Sequence, residues 1–113
     1  MPAVIRHVAA FNRHDTGRLL AGLAPNAVWI TGQDVATGHV ALGEVFDDWL
    51  WSMRPRLDVV SLIEAGDTAA AEFRERLTVD GATREFAIAA FFTVRNGLIT
   101  RAKIYREGNA TLD

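Results

Sequence analysis

Apolar positions recur every three or four residues as far as Met53 and every second residue after Pro55. The first half of the chain therefore reads as helical and the second as extended. Residues 2–14 form the first expected helix. Val4, Val8 and Phe11 stripe one side of it, with Ile5 and Ala9 beside them, and Pro2 suits a first turn. Asp15 is a good N-cap for a short second helix through Leu23, stopped by Ala24-Pro25-Asn26. Residues 27–31 read as a short strand and 32–38 as a turn-rich loop. Residues 39–53 read as a third helix whose apolar side is Val40, Val45, Phe46, Trp49 and Leu50. Beyond Pro55, four strands are expected over 57–65, 68–79, 83–94 and 98–106. They are separated by Gly66-Asp67, Asp80-Gly81 and Asn96-Gly97, and the last two pairs are strong hairpin signals. The order predicts an α+β plan, three helices packed on one face of a mainly antiparallel sheet. Strands this long coil as they twist. The sheet should wrap partly around the helices and leave a cone-shaped apolar cavity, a default ligand site.

One residue breaks the alternation. In the run 69–79, Ala69, Ala71, Phe73, Leu77 and Val79 share one face, and Glu75 falls among them. A carboxylate on an apolar face must be paired, protonated or set in a wet pocket, because burying a lone charge is costly. It is therefore either a general acid or base perturbed by a wall of Phe73, Leu77 and neighbouring rings, or half of an ion pair with an inward Arg such as Arg106.

Composition narrows the classes. The 113 residues suit one domain with one core, and 50% hydrophobic with 23% charged is a globular balance. A net charge of −2 speaks against nucleic acid as a partner. The chain has no cysteine, so disulfides, thiolate catalysis and Cys-ligated zinc are excluded. No run of apolar residues is long enough to span a membrane, and no signal pattern opens the chain, so a cytoplasmic location is expected. Spacing does not make a metal site of His7, His14 and His39.

Several stretches carry a family resemblance: Val-Ala-Ala-Phe-Asn-Arg-His-Asp at 8–15, residues 19–29, Gly38 ahead of the third helix, and Phe-Phe-Thr-Val-Arg-Asn-Gly-Leu-Ile at 91–99. Over nearly its whole length the chain resembles the NTF2-like superfamily, in the branch of SnoaL-like, ketosteroid-isomerase-like and limonene-epoxide-hydrolase-like proteins. That fold hosts isomerases, cyclases, dehydratases, epoxide hydrolases and non-catalytic binding modules, so it does not set the chemistry. The resemblance implies a small hydrophobic ligand in the cone, no cofactor, no nucleic acid or membrane partner, and a homodimer through the outer sheet face. On that face lie Glu72, Arg74, Arg76, Ala87, Ala89, Phe91 and Thr93.

Carrying family positions across places His7 where ketosteroid isomerases have an oxyanion-donating tyrosine. Thr31 stands at their general-base aspartate and Ala90 at their second, protonated acid. For the epoxide hydrolases, Phe73 stands at the arginine, Glu75 at one aspartate and Ile104 at the other. One acid of that set survives. The expected catalytic pair is thus Glu75 and His7; if they face each other, mutual attraction would keep both charged and compete with desolvation. Trp29, Thr31, Trp49, Phe73, Ala90 and Ile104 are the expected substrate-binding wall. Trp29 and Trp49 read as buried and Trp51 as exposed at a rim or contact; Asp34 and His39 read as part of a solvated loop, or as substrate contacts where that loop borders the cavity mouth in the resembling folds. The leading expectation is an acid–base enzyme, an isomerase, cyclase, dehydratase or epoxide hydrolase. The alternative is a binding or accessory module that kept the cone and lost the chemistry.

Overall fold

After Pro55 the chain builds a sheet whose register obeys its alternation; before it, three helices and a hairpin prepare the sheet's concave face. The computed structural model describes residues 2–107. Helices α1 (Ala3–Asn12) and α2 (Thr16–Ala21) are followed by strands β1 (Leu23–Thr31) and β2 (Asp34–Thr37). Helix α3 (Gly38–Asp48) continues into a single 3₁₀ turn, Leu50–Met53. Strands β3 (Arg56–Ala65), β4 (Thr68–Val79), β5 (Ala82–Arg95) and β6 (Leu98–Arg106) complete the chain. The six strands form one sheet in the order β2-β1-β6-β5-β4-β3. Every pairing is antiparallel except β1 with β6.

The three turns from β3 to β6 behave as their sequences require. Gly66, Gly81 and Gly97 all have positive φ, as do Asp80 and Asn96, so each tight turn sits in a region open mainly to Gly, Asn and Asp. The hairpins align the inward faces: Phe73 opposite Ile88, Glu75 opposite Phe86, and Ala90 opposite Ile104. The pairing leaves one extra residue in β3, Val60, and one in β6, Thr100, bulges that bend these strands. The core lies between that concave face and the helices, with Val4, Phe11, Leu19, Leu42, Phe46, Phe92 and Ile99 at its centre.

Polar bonds fix the helical layer onto the sheet. Asn12 binds the backbone of Leu57 twice, its Nδ2 donating to the carbonyl at 2.9 Å and its Oδ1 accepting from the N–H at 2.7 Å. His14 donates from Nε2 to the Pro55 carbonyl at 2.8 Å, and Arg6 donates to the Gly97 carbonyl at 2.6 Å. Asp15 caps α2 as expected, accepting from the Arg18 N–H.

Several expectations need correction. Residues 32–38 are not a loop: β1 and β2 form a hairpin closed by Gly32 and Gln33, with Gly32 at φ 58°. Strand β2 escaped notice because it is four residues long and mostly exposed, so it has no buried face to impose a pattern. Strand β1 starts at Leu23, where a second helix was expected to end; Gly22 caps α2 instead, and its carbonyl accepts from Ile99. The third helix stops at Asp48. Trp49 leaves helical geometry at φ −134°, ψ −59°, and the 3₁₀ turn rotates the residues after it onto a new phase. The buried row is therefore Leu42, Phe46 and Leu50, four residues apart. Val40 is 78% exposed and Trp49 62% exposed, contrary to the expected apolar side. Trp51, expected at the surface, is turned inward: it stacks on Phe46 and His14, and its Nε1 donates to Thr16 Oγ1 at 2.8 Å. The hydroxyl of Thr16 in turn donates to Asp47, so the 3₁₀ turn is pinned to the start of α2.

Candidate functional site

Between the concave sheet face and the helices lies a cavity of about 600 Å³, within the range of small-molecule sites. Its walls come from every layer. Helix α1 supplies His7 and Phe11; α3 and the turn after it supply Val45, Phe46, Trp49 and Leu50. Strands supply Trp29 and Thr31 from β1, Leu57 from β3, Phe73 and Glu75 from β4, Ile88 and Phe92 from β5, and Ile104 and Arg106 from β6. Asp34, Lys103 and Tyr105 join the exposed Trp49 at the rim.

Glu75 points inward and is 3% exposed. It lines the cavity and forms an ion pair with Arg106. Arg106 stands two strands away, on β6, and reaches across β5 over the ring of Phe86, its guanidinium carbon 5.3 Å from the ring centre. Its Nη2 and Nε donate to the same carboxylate oxygen, Oε1, at 2.7 and 3.2 Å. The register explains the reach: Glu75 is opposite Phe86, Ile88 is opposite Arg106, and all four share the inward face. Such a bond offsets the cost of burying the carboxylate. Among the described residues, no donor reaches Oε2.

His7 lies on the buried side of α1, three residues after Val4 and four before Phe11, and is 4% exposed. Rings surround it. Trp29 is 5.1 Å away centre to centre, and Phe11 and Phe92 are each at 6.2 Å. Its Nδ1 is sealed from solvent without a hydrogen-bond partner. Burial among these groups lowers its pKa from 6.5 to about 4. His7 is thus neutral at physiological pH: of the two opposed effects expected at it, attraction to Glu75 and desolvation, attraction does not keep it charged. Desolvation dominates at His7, and the charge that answers Glu75 is Arg106.

The remaining sequence candidates divide. Trp29, Thr31, Phe73 and Ile104 stand in the wall, and Trp49 contributes from the rim. Ala90 does not border the cavity; it is fully buried in the sheet core between Ala71 and Ile104, where its small side chain lets strands and rings pack. Asp34 reaches the mouth, whereas His39 is turned away and donates to the Leu23 carbonyl at 3.1 Å. Sequence reasoning missed the rim residues Lys103 and Tyr105, which share the outward phase of β6 and gave no inward signal. It also missed Leu57 and Ile88, which look like any strand core. Among the described residues, no three His, Asp or Glu side chains come together as a metal site. Nor is any helix of the described chain long and apolar enough to cross a membrane.

A cone of helices on a coiled six-stranded sheet, hollow and lined by rings around a few polar groups, defines an NTF2-like protein. The chain belongs to the SnoaL-like domain family, whose model matches residues 4–102. No curated protein matches it at a significant level. Solved structures share the fold at low identity. TerC co-crystallised with polyporic acid is 22% identical with a TM-score of 0.84, over 93% of this chain and 88% of that one. An NTF2-like protein of unknown function from Burkholderia pseudomallei is 22% identical with a TM-score of 0.83, over 93% and 88%. An epoxide hydrolase of the LEH-like type from M. tuberculosis is 18% identical with a TM-score of 0.85, over 93% and 80%.

Proposed function

We propose that this chain is a cofactor-independent enzyme doing acid–base chemistry on a small hydrophobic molecule held in the cone. One observation carries the reading: a carboxylate from the sheet and an imidazole from the helical layer are both buried in the wall of one apolar cavity. In that reading Glu75 moves the proton through Oε2, the oxygen that Arg106 leaves free, and His7 polarises an oxygen of the substrate. Isomerase, cyclase, dehydratase and epoxide-hydrolase steps can all use one group that moves a proton and another that polarises an oxygen. Thr31, Trp29, Phe73, Ile104 and the rim Trp49 would hold the substrate. Turnover of a panel of cyclic ketones, polyketide-like rings and epoxides by Glu75→Gln tests it. The rate should fall by about 10²–10⁴-fold; an unchanged rate removes Glu75 from the chemistry.

A second reading has its own support. Arg106 spends two donors on Glu75 Oε1, as a purely structural ion pair would. In that case the protein is a binding or accessory module, and ligands from the same panel raise its melting temperature without being turned over. In either case we propose a cytoplasmic homodimer joined through the outer sheet face. Its support is the exposed, edge-to-face pair of Phe91 and Tyr105 on that face, with Lys103 over the tyrosine ring.

A further inference from the structure

His7 has two ring nitrogens in different surroundings. Nδ1 is closed off from solvent and has no partner. Nε2 makes no hydrogen bond among the described residues yet is not sealed in the same way, so it is the nitrogen that borders the cavity. A neutral imidazole carries one proton and one lone pair. A proton on Nδ1 would be a buried donor with nothing to accept it, a rare and costly state, whereas on Nε2 it meets the cavity's contents. The groups packed on the ring, Phe11 from α1, Trp29 from β1 and Phe92 from β5, offer no charge to hold a second proton. Glu75 and Arg106 in the cavity wall answer each other as an ion pair, and Asp34, Lys103 and Tyr105 at the rim are the other titratable groups of the lining.

We infer that His7 is a fixed hydrogen-bond donor with its proton on Nε2, and that the ligand it selects is an uncharged molecule presenting an acceptor oxygen, a carbonyl or ether, at the α1 end of the cavity. This rests on the proposed use of the cavity and narrows it: His7 polarises an oxygen and does not exchange its proton in the working pH range. An anion would find no charged partner at His7, and an ammonium group would compete with Arg106 for Glu75. A molecule without an acceptor would leave the Nε2–H unpaired.

The test is long-range ¹H–¹⁵N correlation on the full chain labelled at histidine, with His7 assigned by its loss in His7→Gln. From pH 5.5 to 8 its ring should remain a single neutral tautomer protonated at Nε2. A proton on Nδ1, or a titration midpoint between 6 and 7, would overturn the assignment. Cyclohex-2-enone and methylenecyclohexane then serve as matched probes with and without the oxygen. The ketone should move the His7 Nε2 resonance and the hydrocarbon should not. Equal effects, or no effect of the ketone at saturating concentration, overturn the ligand half of the inference. His7→Leu should weaken ketone binding about 2- to 10-fold, while His7→Gln, which keeps an N–H donor, should weaken it less. Equal losses would count against the donor role. None of these readouts requires turnover, so their failure is distinct from failure of the Glu75→Gln test.

Discussion

Glu75 occupies a position that strand periodicity reserves for an apolar side chain, and Arg106 lets it stay there. The misfit was readable because the alternation of β4 is unbroken on both sides of it, and the ion-pair partner was readable because β6 places Arg106 in the same phase. His7 was harder to read, since a helical face has soft edges and its neutral state depends on rings contributed by β1 and β5, which local sequence does not bring together. Two expectations belong to this scale. Arg106→Met removes both donors from Oε1 and leaves a buried carboxylate without compensation. It should cost about 1–3 kcal/mol in urea denaturation at neutral pH, and the double variant with Glu75→Leu should regain most of it. His7 is held neutral in the fold with a pKa near 4, while the unfolded chain takes up that proton near 6.5. Its contribution is therefore fully present above pH 6.5 and is lost as pH falls from 6.5 to 4, because the unfolded state binds the proton first. Below 4 both states carry it and the loss stops. The limb is worth about 3 kcal/mol, and melting curves of His7→Leu should show a shallower decline across that window than the wild type.

At the level of elements, the β3–β6 meander was legible almost to the residue, since each turn sequence forces a positive φ and each strand buries one face. The region between Gly22 and Met53 was not. A four-residue edge strand has too little buried surface to leave a pattern, and the break at Trp49 exchanges the environments of two tryptophans two residues apart. No local propensity announces that break; Trp51 is drawn inward by Phe11, Phe46 and His14 and by its bond to Thr16, contacts that exist only after α1, α2 and α3 have packed. The tie between α1 and the edge strand β3 is the two-way bond of Asn12 to Leu57. Asn12→Ala leaves a backbone donor and acceptor part-buried and unpaired, and should lower stability by about 1–3 kcal/mol. Hydrogen exchange at the Leu57 amide should accelerate by more than the global loss accounts for.

Across the whole molecule, the cavity is a consequence of strand length. Strands of 12 and 14 residues coil too strongly to lie flat under three short helices, and the space left over is what rings and two buried polar groups line. The existence of that space was legible from strand lengths, whereas the small role of Ala90 was not, because an inward position on the sheet can face either the hollow or the packed end of the cone. The convex face carries Phe91 and Tyr105 at 47% and 49% exposure. In the proposed homodimer both are covered, so Phe91→Arg should convert a dimer into a monomer by light scattering, with a melting curve that becomes independent of protein concentration.

The most direct measurement is a crystal structure of the protein with 1-tetralone, a rigid two-ring ketone. Its rings should lie against Trp29, Phe73 and Phe92 with its oxygen about 3 Å from His7 Nε2 and Glu75 still facing the same space. A cavity closed by those rings, or a carboxylate of Glu75 turned out to bulk water, would contradict the idea that this fold holds an acid and an imidazole ready for a small molecule.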